Sequence, residues 1–388
     1  MAANDLINVY DPTFWAQETL AQLFPQLKMA GLVYRDFEHI VAERGDTINT
    51  RMPNRFTAKD ADPDVFFSNK PKADNVQIKL DKWKELVFEI GDKEASLSMK
   101  DLTAEFMQPA AFAIAEAVED AVLALGNDLP YTVGAAGVTP ATVAALGTDI
   151  KEKFDTMQIP DGDRQVVLGP AAVNKFNQVF YQDYVSGSAD QQTEGTLRRK
   201  FGLNYTDSNK LGSHTNGTAT VGGTPQFNAG VAANVEPLGG VPLTSTVALK
   251  LLGVAAGTIL PGDVFTVAHA SGVASYTVVT GGVAAGGILA GIVISPGLRA
   301  AVLTSDPIVF VASHAFNLAF HKQAFALVTR PLKVPSAPGA SVAVANFNGI
   351  GLRAATWYEP KDLRSYVRLD LLYGVKTLDI RKAFRVLG

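Results

Sequence analysis

Apolar positions recur at helical spacing over residues 98–127, in the longest such run of the chain. Leu102, Phe106, Ala110, Ala113, Ala117, Ala121, Val122 and Leu125 fall mostly three or four apart, while Asp101, Glu105, Glu116, Glu119 and Asp120 take other faces. The pattern predicts one amphipathic helix. Ser98 followed by Asp101 resembles a capping box, and Gly126 suits the left-handed residue that ends many helices. Pro109 lacks a backbone donor and clashes with the carbonyl four residues earlier, so the helix bends there or begins near it. Its stripe from Ala110 to Leu125 is expected to face the strands around Val367 to Leu371.

Before this helix the pattern is mixed. Asp11-Pro12-Thr13 opens a helix with Phe14, Leu20, Leu23, Phe24 and Leu27 on its apolar side, which reads as a docking arm. Residues 33–37 and 47–52 read as two short strands joined by a turn at Gly45-Asp46. After a charged, proline-containing stretch, Val76, Ile78 and Leu80 alternate with polar residues, and Leu86, Phe88 and Ile90 resume the alternation. This predicts a long projecting β-hairpin whose partner would cover Phe66, Phe67 and Trp83. Phe14 and Trp15 of the opening helix complete the candidate inter-subunit contacts.

Beyond the long helix, residues 142–158 predict a helix, Val166-Val167-Leu168 a buried strand, and Pro170 the start of another helix, as in an α/β lobe. Residues 181–212 read as a surface loop leading to an edge strand at Leu203 to Thr206. From about Gly217 to Val302 the only charged side chains are Glu236, Lys250, Asp263 and Arg299. Short β-prone runs at 247–252, 264–267, 276–279, 288–294 and 308–311, separated by glycine-rich turns, predict an inserted antiparallel barrel. Residues 315–327 read as at least partly helical, 350–358 and 365–373 as strands, and 375–386 as the closing segment.

A length of 388 residues implies two or more lobes, and 47% hydrophobic residues suit a folded core. The net charge of -4 offers no global attraction for nucleic acid or anionic membranes. The absence of cysteine excludes disulfides and thiolate metal sites. The N-terminus lacks a signal-peptide pattern. The apolar window 273–298 is broken by glycines, hydroxyl residues and Pro296, which favour short strands over a membrane span.

Catalytic patterns are missing. The histidines at 39, 214, 269, 314 and 321 form no His-Glu-x-x-His, the glycine pairs at 281 and 286 are not followed by Lys-Ser/Thr, and no serine sits in a Gly-x-Ser-x-Gly elbow. Arg198-Arg199-Lys200 is the main basic cluster and reads as a solvated loop. The tripeptide Arg44-Gly45-Asp46 is accounted for by its turn. No catalytic, cofactor or metal residue is assigned, and no cofactor is expected.

Several segments resemble the major capsid proteins of tailed bacteriophages, whose HK-ninety-seven-type shell fold is shared with herpesviruses and encapsulins. Gly45-Asp46-Thr47-Ile48 with Met52-Pro53 is similar to the strand entering that family's extended loop. Gly195-Thr196-Leu197 with residues 201–205 resembles a strand pattern of its axial domain, and 316–327 with Arg330-Pro331-Leu332 the segment re-entering that domain. Residues 371–376 and 383–387 resemble the closing strand of its peripheral domain. Residues 260–267 and 292–296 are similar to strands of the β-barrel inserted in the coat protein of the short-tailed Salmonella-phage group.

The resemblance implies an α+β fold: residues 1–52 as N-terminal arm and first strands, 53–90 as extended loop, and 91–130 as spine helix of a peripheral domain. The axial domain would span 131–216, the inserted barrel 217–312, the axial return 313–335, and the peripheral closing strands 336–388. It implies a non-enzymatic coat protein that self-assembles as hexamers and pentamers of an icosahedral shell around double-stranded DNA, in a virion built in the host bacterial cytoplasm. The implied partners are further copies of the chain, a separate scaffolding protein, a portal protein, a decoration protein and, by nonspecific contact, the packaged DNA; no membrane is implied. A Lys-Asn cross-link between the extended loop and Asn346 or Asn348 is not expected, since no motif selects a pair. The alternatives are an encapsulin-like nanocompartment shell and a secreted β-rich adhesin or glycan-binding protein.

Overall fold

The structure, a computed structural model, describes residues 12–23, 28–35, 47–51, 75–91, 108–135, 140–182, 199–219, 224–228, 230, 244–252, 256–269, 272–298, 300–304, 306–334, 340–347 and 350–388. In chain order the first elements are α1 (Pro12–Leu23), α2 (Lys28–Leu32), β1 (Thr47–Arg51), β2 (Asn75–Lys79), β3 (Lys82–Gly91), α3 (Gln108–Ala124), β4 (Thr132–Val133), α4 (Pro140–Thr156), β5 (Arg164–Leu168), α5 (Pro170–Gln182), β6 (Asn204–Asp207) and β7 (Ser213–His214). Then come β8 (Thr224–Phe227), β9 (Ser245–Leu252), β10 (Thr258–Ile259), β11 (Val264–His269), β12 (Gly272–Thr280), β13 (Gly282–Val283), β14 (Ile288–Ser295) and β15 (Ile308–Phe310). The chain closes with β16 (His314–His321), β17 (Phe325–Arg330), β18 (Ala340–Phe347), β19 (Ile350–Glu359), β20 (Arg364–Thr377) and β21 (Ala383–Leu387). These elements fall into two units, one within Met1–Thr50, Asn75–Ala124 and Phe325–Leu378, the other in the remainder.

The first unit is built on β20. One side of this strand pairs antiparallel with β3; the other pairs with β19 over Arg364–Asp370 and with β17 over Leu372–Thr377, and β18 extends the sheet beyond β19. Strand alternation sends Val367, Leu369, Leu371 and Tyr373 to the buried face, where the Tyr373 hydroxyl donates to the Ala117 carbonyl of α3 at 3.0 Å. The helix begins at Gln108, so Pro109 occupies a first-turn position where its missing donor has no intrahelical partner to lose. The expected cap at Ser98 and Asp101 lies outside the described residues.

The buried face of α3 is Ala110, Ala111, Ile114, Ala115, Val118, Glu119, Val122 and Leu123, rotated from the expected stripe: Ala113 is exposed and Glu119 is buried. The reason is the number of neighbours. The helix packs on α1 and α2 as well as β3 and β20, so its covered arc is wider than one stripe. Glu119 tolerates burial because its Oε1 accepts hydrogen bonds from the backbone N–H groups of Lys28 at 2.7 Å and Met29 at 3.2 Å. It thus caps the start of α2 from ninety residues away in sequence.

Two further expectations change here. The opening helix is no free docking arm, for Ala16, Thr19, Leu20 and Leu23 are buried against β18, β19 and α3 of the same unit. The predicted hairpin of residues 76–90 also does not form: β2 pairs with β1, and β3 with β20. A ten-residue strand with one apolar side gains more from the fourteen-residue β20 than from five-residue β2.

In the second unit a mixed sheet has the order β4-β21-β16-β5-β6, with β7 pairing to β16. Helices α4 and α5 supply Leu146, Ile150, Phe154 and Phe176 to a core shared with Val166, Leu168, Phe384 and Val386. The run 315–327 is therefore strand, a 3-10 turn and strand, not helix. Residues of β16 on both faces are buried, so its apolar and polar positions do not alternate, and such a pattern does not separate a central strand from a buried helix. Strand β17 belongs to the first unit, and β21, expected among the peripheral closing strands, pairs with β16 and β4 in the second.

Between β7 and β16 the chain forms a six-stranded antiparallel sheet of order β15-β11-β12-β14-β9-β8, whose end strands also touch each other. Its core holds Phe227, Leu249, Phe265, Val267, Tyr276, Leu289 and Ile292. It is joined to the mixed sheet by Arg385 of β21, whose side chain is 0% exposed. The guanidinium donates from Nη1 to the Gly262 carbonyl at 2.8 Å, and from Nη2 to the Asn127 carbonyl at 2.8 Å and Thr277 Oγ1 at 3.3 Å. It also lies 5.6 Å from the Phe316 ring centroid. Burial pushes its pKa down to about 10 against the opposing pull of Asp128 and Asp263, so it stays charged at neutral pH. Gly126 serves this packing and not a left-handed helix end: a Cβ there would collide with the Phe316 ring.

Glu119→Ala is expected to cost about 2–3 kcal/mol, the scale for stranding buried donors, and to speed hydrogen exchange at residues 28–32. Exchange mass spectrometry at matched pH reads both effects; unchanged protection of α2 would show that the cap is dispensable.

Candidate assembly surface

The first unit's sheet has a second face, opposite α3, built from the polar positions of its strands. Register places Trp83, Glu85, Val87 and Glu89 of β3 beside Leu372, Asp370, Arg368 and Tyr366 of β20. Next to these on β19 stand Arg353, Ala355 and Trp357, opposite Asp370, Arg368 and Tyr366.

Asp370 is the centre of this face and is only 1% exposed. Its Oδ1 accepts from Arg368 Nε at 2.8 Å and from the Trp83 indole Nε1 at 3.3 Å; Oδ2 accepts from Arg353 Nε at 3.1 Å and also from Arg353 Nη2. Two guanidiniums and an indole thus roof one carboxylate, satisfying its lone pairs without apolar cover. The Asp370 hydrogen bond, with the charges of Asp370 and Glu85, holds Arg368 above the usual arginine range despite partial desolvation. Arg368 also pairs with Glu85 and lies 5.4 Å over the Trp83 ring. At the rim Arg364 pairs with Glu89, and Trp357 stacks on Tyr366 with centroids 5.3 Å apart.

The outcome is a surface of paired charges bearing exposed apolar groups. Trp83 remains 54% exposed although its N–H and one ring face are engaged, and Val87 is 46% exposed. An aromatic side chain already fixed by a hydrogen bond and a cation contact loses little further freedom when a partner covers it. Among the described residues no three His, Asp or Glu side chains group as metal ligands, and no helix is long and apolar enough to cross a membrane.

Of the sequence-predicted contact residues, only Trp83 has a described side chain. Phe14 and Trp15 lie on α1 with side chains outside the described set, and Phe66 and Phe67 are outside the described residues altogether. Asp370, Arg353 and Arg368 are site residues that the sequence reading misses. Their signal lies in the polar phase of 364–372, where Arg368 and Asp370 alternate with Val367, Leu369 and Leu371.

No protein-family model and no curated protein matches the sequence. The fold is α+β and is shared with a structure of Mycobacterium phage Che8, with 13% identity, a TM-score of 0.53, and coverage of 92% of this chain and 89% of that chain. The capsid structure of cyanophage P-SCSP1u aligns over 89% of this chain and 84% of that one, at 12% identity and a TM-score of 0.48. A virus-like particle from Pyrococcus furiosus aligns over 96% and 97%, at 6% identity and a TM-score of 0.42.

Asp370→Ala is expected to destabilise the first unit by about 3–5 kcal/mol, because it leaves two guanidiniums facing a buried gap. Glu85→Ala, at the exposed end of the same network, is expected to cost under about 1 kcal/mol. Denaturant titration of both variants checks the contrast; equal costs would mean that Asp370 is not the centre of the network.

Proposed function

We propose that the chain is the coat subunit of a tailed bacteriophage, assembling with its own copies into an icosahedral shell that encloses double-stranded DNA. The observation carrying this reading is the likeness in fold to the Mycobacterium phage Che8 structure, which extends over 92% of the chain. The surface around Trp83 supports it, since exposed aromatic and aliphatic groups on a rigid sheet are what a neighbouring subunit can cover.

In this reading α3 is the spine helix of a peripheral domain, the mixed sheet with α4 and α5 is the axial domain, and β8–β15 form an inserted barrel of the short-tailed Salmonella-phage type. Residues 53–90 are the extended loop that reaches over a neighbouring subunit, and Phe14, Trp15, Phe66, Phe67 and Trp83 are inter-subunit contacts. Assembly uses a separate scaffolding protein and a portal protein, with a decoration protein as an outer partner, in the host bacterial cytoplasm. The weak net negative charge fits a shell that confines DNA without reading it. Interfaces repeated by symmetry supply the stability.

The test is electron microscopy of the purified chain, alone and coexpressed with candidate scaffolding protein. Closed, uniform particles are expected; a monodisperse monomer under all conditions contradicts the proposal. Trp83→Ala is expected to leave the subunit folded while weakening assembly by about 2 kcal/mol per contact, the cost of losing an aromatic anchor. Sedimentation of particles against free subunits measures it.

A further inference from the structure

The connections into and out of the β8–β15 sheet pass through one pair of histidines. His214 ends β7 and His314 begins β16; the two residues are direct antiparallel partners, and their ring centroids lie 5.8 Å apart. Asn216 ties the same crossing together, its backbone N–H donating to Ser313 Oγ at 3.0 Å and its side-chain amide to the Val311 carbonyl.

The hydrogen-bond partners fix the tautomers. Asp263 is fully buried, and its carboxylate Oδ2 accepts the backbone N–H groups of Leu260 at 2.9 Å and Gly217 at 3.2 Å. Its Oδ1 lies 2.9 Å from His214 Nε2, so that ring nitrogen donates. His314 Nδ1 lies 2.8 Å from the Ala312 carbonyl, which can only accept, so Nδ1 carries the proton of the neutral ring. This leaves His314 Nε2 as a bare lone pair, buried and without a hydrogen-bond partner.

A second proton on His314 would therefore enter a buried position with no protein acceptor within hydrogen-bond reach. The charged groups around it are unfavourable: Arg385 of β21 and His214 of β7 both oppose a positive ring. Asp263 is engaged by His214 and two backbone donors, and Asp128, together with Asp263, acts on Arg385. The neutral ring fits this packing, and the imidazolium does not.

We propose that the His214–His314 pair is a protonation-sensitive latch at the root of the β8–β15 sheet, closed while His314 is neutral and loosened when it takes a proton. Burial and Arg385 hold the His314 pKa below the ordinary value, which fixes the direction of the effect. The unfolded or opened segment takes up its proton near pH 6.5, before the closed one does. Latch stability is thus complete above about pH 6.5 and declines as pH falls toward the folded-state pKa, by up to about tenfold in the opening equilibrium per pH unit.

The experiment is hydrogen exchange of the full chain between about pH 7.5 and about pH 5.5, corrected for intrinsic exchange and bracketing the histidine range. Protection of residues 213–218 and 311–316 is expected to fall on acidification, while the centre of β5 stays protected. His314→Gln is expected to abolish the pH response, and His321→Gln, on the far end of β16, to leave it intact. Histidine-ring NMR of the unaltered chain supplies a reading that needs no variant: the His314 ring of the closed form must titrate below the ordinary histidine range, at the low-pH end of the interval over which protection is lost. Protection that is flat with pH, a response that persists in His314→Gln, or a closed-form His314 ring that titrates at or above the ordinary histidine range would each overturn the proposal.

Discussion

One buried guanidinium ties the two sheets of the second unit together. Arg385 reaches backbone carbonyls on two elements, Gly262 in the turn before β11 and Asn127 after α3, and hydrogen-bonds Thr277 within β12. A full charge in a dry position costs several kcal/mol unless it is neutralised and hydrogen-bonded. Here the two terminal nitrogens find acceptors on the β8–β15 sheet, the turn before β11 and the residues after α3, so the cost of the charge favours bringing these together with the mixed sheet. Phe316 and side-chain-free Gly126 complete the setting, the ring lying against the guanidinium and filling the room that a Cβ would take.

The first unit uses the same device with opposite sign. Asp370 gathers Arg353, Arg368 and Trp83 on one face of the sheet, and Glu119 gathers the first N–H groups of α2 on the other side of the unit. In each case an ordinary apolar core sets where strands and helices can go, and a buried charge with several directional partners selects one arrangement. An exposed Trp83 held by Asp370 and Arg368 presents a surface of defined shape, with little left to order when it is covered.

Much of this architecture is legible in the periodicity of the chain. The period-two runs at 350–358 and 365–373 and the short runs between 247 and 311 are strands close to their expected bounds, because turns and alternation both mark them. Pairings and faces are not legible in the same way. Nothing in residues 76–90 states that β3 will choose β20 over β2, since alternation defines a strand's faces but not its neighbour. The 315–327 run imitates a helix because covering both sides of β16 erases alternation. Glu119 and Arg385 resemble ordinary surface charges in the sequence, for their partners are backbone groups remote along the chain. A lone arginine inside Ala383-Phe384-Arg385-Val386-Leu387 is the one sign of the second.

In this account the arrangement of the two sheets in the second unit depends on the Arg385 contacts. Hydrogen exchange of Arg385→Gln against the unaltered chain tests that dependence most directly. If the guanidinium holds these elements together, protection falls jointly in residues 127–133, 258–264 and 274–280, while α4 and α5 are spared. Loss confined to β21 itself, with the other segments unchanged, would contradict the account.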